Sequence, residues 1–236
     1  MALILSIETG TDICSVALAN DGELMALRES DEGRDHAKKV ALFVDELLRE
    51  TGVQPSDIDA IAVGKGPGSY TGLRIGVSFA KGMCYALGIP LIAIGSLDAL
   101  AEVAREDFEA GILDIEEEDW AQAKLCPMVD ARRMEVYAQV FDVEGKAQSE
   151  VVAEVVTEES FKEWRAKDKF VIFGNGAKKC AEVLPDAIIE DIIPSSRGIV
   201  HLAEEAFNAG KFEDLAYFEP FYLKDFIVIP SKKKLL

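Results

Sequence analysis

The sequence predicts an α/β protein built from two similar lobes, each with the order strand, strand, strand, helix, strand, helix, strand, helix. Two observations carry this prediction. Short runs rich in branched apolar residues alternate with stretches in which apolar residues recur at helical spacing. The same order of eight elements then occurs twice along the 236 residues. Because helices cover sheets in such proteins and each lobe begins with a three-strand meander, we expect two mixed sheets.

The first half predicts strands at about 2–8, 12–19 and 23–29, and further strands in "IDAIAVG" and "IPLIAIG". Asn20-Asp21-Gly22 is a hairpin signal between the second and third strands. The first helix is expected to begin behind Asp35, an N-cap candidate, and to stop at Gly52, which suits the left-handed position after a helix. The second helix runs through the glycine-rich stretch 64–82, and Ser96 is the expected cap of the third.

The second half predicts strands in "LCPMVDA", "MEVYAQVFD", "QSEVVAEVV", "FVIFG" and "AIIEDII", and helices from about Thr157 to Lys167, in "AKKCAEVL", and from Ser195 or Ser196 to Gly210. This duplicated order is that of two ribonuclease-H-like lobes, each βββαβαβα, in the actin-like arrangement. We expect a first lobe at 1–105, a second at 106–195 and a C-terminal tail at 226–236. The acidic segment 106–120 is the expected junction, with its charges in solvent.

The composition excludes some classes of function. A hydrophobic content of 49% allows a full core, while 43 acidic and 25 basic residues give a formal charge of −18. Such a surface repels phosphate backbones, so the chain alone is a poor candidate for binding nucleic acid. The cysteines form no C-x-x-C pair and are typical of reduced, packed thiols: Cys14, Cys84, Cys126 and Cys180. With no basic N-terminal region and no membrane-length apolar run, a cytoplasmic chain is expected.

The stretch "GKGPGSYTGLRIGVSFAKG", residues 64–82, resembles a phosphate-binding loop in its glycine content alone. It lacks the Ser or Thr that follows Gly-Lys in a Walker A loop, and it does not fit G-x-G-x-x-G. Small residues instead recur every four positions: Gly72, Gly76, Ala80, Cys84 and Gly88. Such a row lets another surface approach a helix closely. The row indicates either packing within the chain or an interface between subunits, and the sequence leaves both open.

Four segments carry a resemblance to a known family: "ILSIETGTDICSVAL", "DIDAIAVGKGPGSYTGLRIGVSFAKGMCYALGIPLIAIGSLDALA", "VDARRMEVYAQVF" and "FEPFYLKD". They resemble the TsaB (YeaZ) family of bacterial tRNA threonylcarbamoyladenosine biosynthesis proteins, relatives of the catalytic subunit TsaD. The resemblance runs from the first strand to about Asp225 and implies the actin-like (ASKHA) fold, in which 196–225 would join the first lobe.

The resemblance also implies a function. It predicts a non-catalytic subunit that binds and activates a TsaD-like transferase, which modifies adenosine 37 of tRNAs reading ANN codons. Further expected partners are a TsaE-like ATPase, a second copy when the chain is alone, and tRNA only through the complex. The glycine-rich helix of the first lobe is then the expected interface, with these residues: Thr71, Gly72, Leu73, Ile75, Gly76, Phe79, Ala80 and Met83.

Nucleotide binding by the chain itself is expected to be weak. Actin-like ATPases place an acid and small residues after the first strand of each lobe. The residues that could retain such binding are Thr9, Gly10, Thr11, Gly174 and Gly176. In the second lobe the matching turn contains Arg132 and Arg133, whose long side chains replace glycine and suit solvent, a phosphate or a partner carboxylate. We expect no cofactor of its own, with ATP or ADP at most at the interface of the complex.

No catalytic constellation is visible in the sequence. His36 and His201 are the only histidines and lie in different elements, so the H-x-x-x-H metal pair of the catalytic relative is missing, and His36 suits a surface or capping position. Ser69 and Thr71 have no base nearby in sequence and suit capping of the following helix. No catalytic residue and no metal site are predicted. The alternatives are an actin-like small-molecule ATPase or kinase and, less favoured, a protease.

Overall fold

A computed structural model of the chain describes residues 2–32 and 35–224, which form two five-stranded mixed sheets. The strands are β1 (Leu3–Glu8), β2 (Cys14–Asn20), β3 (Glu23–Ser30), β4 (Ala60–Gly64), β5 (Leu91–Ile94), β6 (Ala123–Asp130), β7 (Glu135–Ala138), β8 (Val152–Val155), β9 (Lys169–Phe173) and β10 (Ile188–Ile189). One sheet has the order β3-β2-β1-β4-β5, and the other repeats it as β8-β7-β6-β9-β10. In each sheet the first three strands along the chain form an antiparallel meander. The fourth strand pairs parallel with the first, and the fifth pairs parallel with the fourth. The duplicated actin-like fold predicted from the sequence is confirmed.

The helices are α1 (His36–Thr51), α2 (Tyr70–Leu87), α3 (Ser96–Glu109), α4 (Glu117–Trp120), α5 (Lys162–Arg165) and α6 (Arg197–Asn208). The first lobe follows the prediction closely. At the hairpin between β2 and β3, Asp21 and Gly22 both have positive φ, 51° and 76°, as a tight primed turn requires. Gly52 closes α1 in the left-handed conformation, with φ 72°.

The second lobe has much shorter helices than predicted. The helix expected at 157–167 is reduced to the single turn of α5, because Phe161 adopts a left-handed φ of 58° and its ring packs on Phe170. The segment "AKKCAEVL" forms only a 3₁₀ turn at Lys178–Cys180. Between Gly176 and Pro185 there are too few residues to propagate an α-helix after the costly first turn. The strands expected in "QSEVVAEVV" and "AIIEDII" are likewise shortened.

Helices α3 and α6 form the layer between the two sheets. Leu97, Leu100 and Val103 of α3 pack in the core of the second sheet, whereas Ile199 of α6 packs in the core of the first. The two helices cross closely at Gly198, where a Cβ atom would overlap the carbonyl oxygen of Ala99. Thus α6, which follows the second sheet in sequence, covers the first sheet. The expected tail at 226–236 lies outside the described residues.

The acidic segment 106–120 includes the end of α3, leads to β6 and carries two buried side chains, Asp107 and Trp120. The expectation that its charges lie in solvent is wrong for Asp107, which pairs with Arg197 of α6. Trp120 is buried and its ring stacks on Phe108, with centroids 4.1 Å apart. The four cysteines are all buried and unpaired. None of the helices within residues 2–32 and 35–224 is long and apolar enough to cross a membrane.

Candidate partner-binding face and interlobe cleft

Helix α2 begins at a turn that is pinned to the loop after β1. The Ser69 hydroxyl caps the helix by accepting the Gly72 N–H at 3.4 Å, and the Ser69 N–H donates to the Gly10 carbonyl at 2.6 Å. A Cβ atom on Gly68 would overlap that same carbonyl, so the close approach requires glycine. The capping role expected for Ser69 is present, whereas Thr71 is exposed.

The glycine row of α2 faces the interior of this chain. A Cβ atom on Gly72 would overlap the Thr9 carbonyl oxygen, and one on Gly76 would overlap the Thr9 hydroxyl. That hydroxyl donates to the Gly72 carbonyl at 2.8 Å. Ala80, the next member of the row, is completely buried. Gly72 and Gly76 therefore clear space for the chain's own β1–β2 loop, and a partner helix cannot reach them in the folded chain.

Three predicted interface residues do reach the surface on one side of α2. Ile75, Phe79 and Met83 are half-buried, and with exposed Thr71 they are the accessible part of the predicted set. The members that are buried are Gly72, Leu73, Gly76 and Ala80.

A second row of small residues lies on the solvent side of α2. Ser78, Gly82 and Ala86 are exposed and four positions apart, and no atom lies within 4 Å of a Cβ built on Gly82. Tyr85 is 84% exposed beside them. Sequence reasoning missed this row, although it has the same spacing as the buried one. We call the surface formed by residues 75, 78, 79, 82, 83, 85 and 86 the outer face of α2.

The two lobes enclose a cleft of about 500 Å³ between the ends of β1 and β6. Gly10 and Thr11 line it from the first lobe, and Asp130, Arg132 and Asn175 from the second. Of the residues predicted to retain nucleotide binding, Thr9, Gly174 and Gly176 are buried and do not line the cleft. A Cβ atom on Gly174 or Gly176 would press on the carbonyl oxygen of Met128, so these glycines serve packing against β6.

The acid after β1 is committed to internal hydrogen bonds. Glu8 is 1% exposed; one carboxylate oxygen accepts the Gly10 N–H at 2.6 Å and the other accepts the Ser96 hydroxyl at 2.8 Å. Burial raises the pKa of Glu8, opposed by these hydrogen bonds. Ser96 also accepts the Gly66 N–H at 3.2 Å. Its expected role as a helix cap is wrong, because Gly95 occupies the N-cap position and Ser96 ties α3 to β1 instead.

The matching turn of the second lobe is held by Asp130. Its carboxylate accepts the Arg132 N–H at 2.9 Å and pairs with Lys179, while its own N–H donates to the Asn175 side chain at 2.9 Å. Arg132 and Arg133 both have positive φ, 72° and 51°. Both arginines are exposed, and Arg132 lines the cleft.

The two histidines have different surroundings, since His36 is buried and His201 is exposed. His36 is buried, and its Nε2 lies 2.8 Å from the Thr11 carbonyl oxygen, so the predicted surface or capping position is wrong. The ring is buried because α1 begins at His36, next to the loop between β1 and β2 that contains Thr11. His201 is exposed on α6 near Glu205. Across 2–32 and 35–224 no three His, Cys, Asp or Glu side chains are grouped as metal ligands would be.

The fold and the cleft define a two-lobed actin-like protein. The family model described as tRNA N6-adenosine threonylcarbamoyltransferase (TsaD) matches residues 30–217. The chain is 30% identical to the tRNA threonylcarbamoyladenosine biosynthesis protein TsaB of Escherichia coli, over 98% of this chain and 99% of that protein. It is 29% identical to TsaB of Bacillus subtilis, over 86% of this chain and 81% of that protein. The structure of YeaZ from Pseudomonas aeruginosa superposes with a TM-score of 0.79 at 28% identity, covering 94% of this chain and all of YeaZ. The chain therefore belongs to the TsaB (YeaZ) family.

Proposed function

We propose that this chain is a non-catalytic subunit of the complex that forms N6-threonylcarbamoyladenosine at position 37 of tRNAs reading ANN codons. It binds and activates a TsaD-like transferase, and it does so in the cytoplasm. Family membership supports the pathway, and the matching family model bears the name of the transferase itself. One observation supports a binding role rather than a catalytic one. Both carboxylate oxygens of Glu8 accept hydrogen bonds from within the chain, whereas the outer face of α2 is exposed to solvent.

The outer face of α2 has the properties of a docking surface. The row Ser78, Gly82 and Ala86 is smooth enough for a partner helix to approach at about 8 Å, the short end of the usual range. Phe79 on the same face provides apolar contact area, and Tyr85 is the kind of large exposed aromatic residue that often dominates binding energy. In the absence of the transferase, the same face would pair two copies of this chain around a two-fold axis.

The negative charge of this chain suggests that other subunits bind the tRNA and the nucleotide. A formal charge of −18 disfavours a direct grip on tRNA, so the transferase would supply the positive surface. Any ATP or ADP would be held at the interface of the complex, and a TsaE-like ATPase would act on the assembled pair. The chain contributes surface and stability to the partner rather than reacting groups.

Reconstitution of tRNA modification tests this proposal. Purified TsaD-like protein and unmodified tRNA are incubated with the remaining pathway components, with and without this chain, and the modified nucleoside is measured by mass spectrometry after digestion. We expect modification to depend on this chain. A Gly82→Glu variant of the same stability as wild type should fail to support it. Full modification without this chain would contradict the proposal.

An actin-like ATPase or kinase is the second candidate, and the interlobe cleft is the observation that favours it. Such an enzyme uses the acid after the first strand to position a metal-bound nucleotide. In this chain that acid, Glu8, is buried and directed at Gly10 and Ser96. ATP turnover by the purified chain alone, lost on substitution of Thr11 or Asp130, would support this candidate instead.

A further inference from the structure

The segment 215–224, which we call the strap, runs antiparallel along one flank of α2. The Lys81 ammonium donates to the carbonyl oxygens of Ala216 and Phe218 at 3.3 and 2.9 Å. Closer to the start of α2, Arg74 Nε donates to the Tyr222 hydroxyl at 3.1 Å. The side chain of Phe218 packs against the core of the first lobe. The first part of the strap therefore belongs firmly to the first lobe.

The middle of the strap crosses the mouth of the interlobe cleft. The Phe221 N–H donates to the Lys65 carbonyl at 2.7 Å, directly after β4. The Tyr222 ring lies 4.9 Å from that of Tyr70, and the Arg74 guanidinium lies 4.1 Å from the centre of the Tyr70 ring. Residues 221–224 line the cleft together with Gly10–Asp12 and Val129–Arg132.

The end of the strap reaches the second lobe. The Lys224 ammonium lies 2.6 Å from both carboxylate oxygens of Glu135, the first residue of β7. The Glu135 side chain is 18% exposed and that of Lys224 is 44% exposed, so solvent screens the pair only in part. Within the described part of the chain, this ion pair thus joins the last residue of the strap to the second lobe, whereas residues 216, 218, 221 and 222 are hydrogen-bonded to the first lobe.

We propose that the strap is a clasp that holds the two lobes closed over the cleft, and that release of Lys224 from Glu135 lets the cleft open. The contacts with the first lobe include a backbone hydrogen bond and a tilted contact between the Tyr70 and Tyr222 rings. Among the residues that the structure describes, the strap is joined to the second lobe by the Lys224–Glu135 ion pair. The second-lobe end therefore releases first. Because α3 and α6 also join the lobes, release changes the opening between them and leaves each lobe folded. The clasp thereby controls access to the cleft.

The distance between the lobes tests the clasp directly. Spin labels are placed on cysteines introduced at two exposed sites, Glu23→Cys in the first lobe and Glu163→Cys in the second; the four native cysteines are buried. Double electron–electron resonance then compares the labelled 236-residue chain with its Lys224→Gln and Glu135→Gln variants. We expect both variants to increase the population at longer distance by about two- to five-fold, the size expected for loss of one partly screened ion pair.

The matched control is Lys178→Gln, which removes the same charge from an exposed pair with Asp191 inside the second lobe. This control should keep the wild-type distance distribution. Equal distributions in wild type, Lys224→Gln and Glu135→Gln would overturn the clasp. Opening in only one of the two variants would overturn the ion pair as its second-lobe anchor.

Discussion

Alanine substitution at Gly76 and Gly82 of α2 tests whether each glycine packs against the chain itself or faces solvent. Both glycines lie inside the helix, so alanine gains about 1 kcal/mol of helix propensity at either. At Gly82 the added methyl group meets no atom within 4 Å, so we expect Gly82→Ala to stabilise the fold by about 0.5–1 kcal/mol. At Gly76 the methyl group overlaps the Thr9 hydroxyl. Overpacking costs about 1–3 kcal/mol, and the displaced hydroxyl weakens its hydrogen bond to the Gly72 carbonyl, at about 1 kcal/mol.

The expected net effect of Gly76→Ala is a loss of about 1–3 kcal/mol, the sum of these costs less the gain in propensity. Urea denaturation followed by circular dichroism measures both variants, and unchanged slopes would show that the midpoints report stability. The two midpoints should move in opposite directions. If Gly76→Ala stabilised the chain as much as Gly82→Ala, the inward orientation of the glycine row would be refuted.

Two further predictions concern buried charges. Burial raises the pKa of Glu8 above its ordinary 4.5, so the unfolded chain ionises first as pH rises, and stability falls until the pKa of the folded state is passed. Glu8→Gln should therefore gain stability relative to wild type as the pH rises above the ordinary carboxyl pKa, by at most about 1.4 kcal/mol per pH unit, and a difference that did not change with pH would count against it. Arg197→Met should cost about 1–2 kcal/mol in a urea titration because Arg197 pairs at 2.6 Å with both Glu106 and Asp107, which join α3 to α6; a neutral result would show that packing alone holds these helices together.

The sheets could be predicted because a strand's periodicity is a local property of the sequence. The branched apolar runs and the Asn20-Asp21-Gly22 turn sufficed for the first lobe. The helices of the second lobe could not be predicted in the same way. Phe161 leaves the helical conformation for a tertiary contact with Phe170, and the short run before Pro185 closes into turns that bury Cys180 and Leu184.

The candidate site shows a different limit. Spacing identifies which residues share a face of α2, yet it does not say whether that face meets the chain itself or solvent. Gly72 and Gly76 received the interface prediction, and the Thr9 loop fills that space. Ser96 and His36 failed for a related reason, since their partners, Glu8 and Thr11, are distant in sequence. A sequence pattern cannot identify partners that only the fold brings together.

Binding of the TsaD-like subunit to Gly82→Glu is the measurement that tests the central claim most directly. Gly82 is exposed and faces open space, so a glutamate there changes the outer face of α2 without disturbing the core. Ala166→Glu, at an exposed position in the second lobe, is the matched control. By isothermal titration calorimetry we expect Gly82→Glu to weaken binding at least about ten-fold, or about 1.4 kcal/mol, while the control binds as wild type. Unchanged affinity of a folded Gly82→Glu variant would contradict the proposal that this face receives the partner.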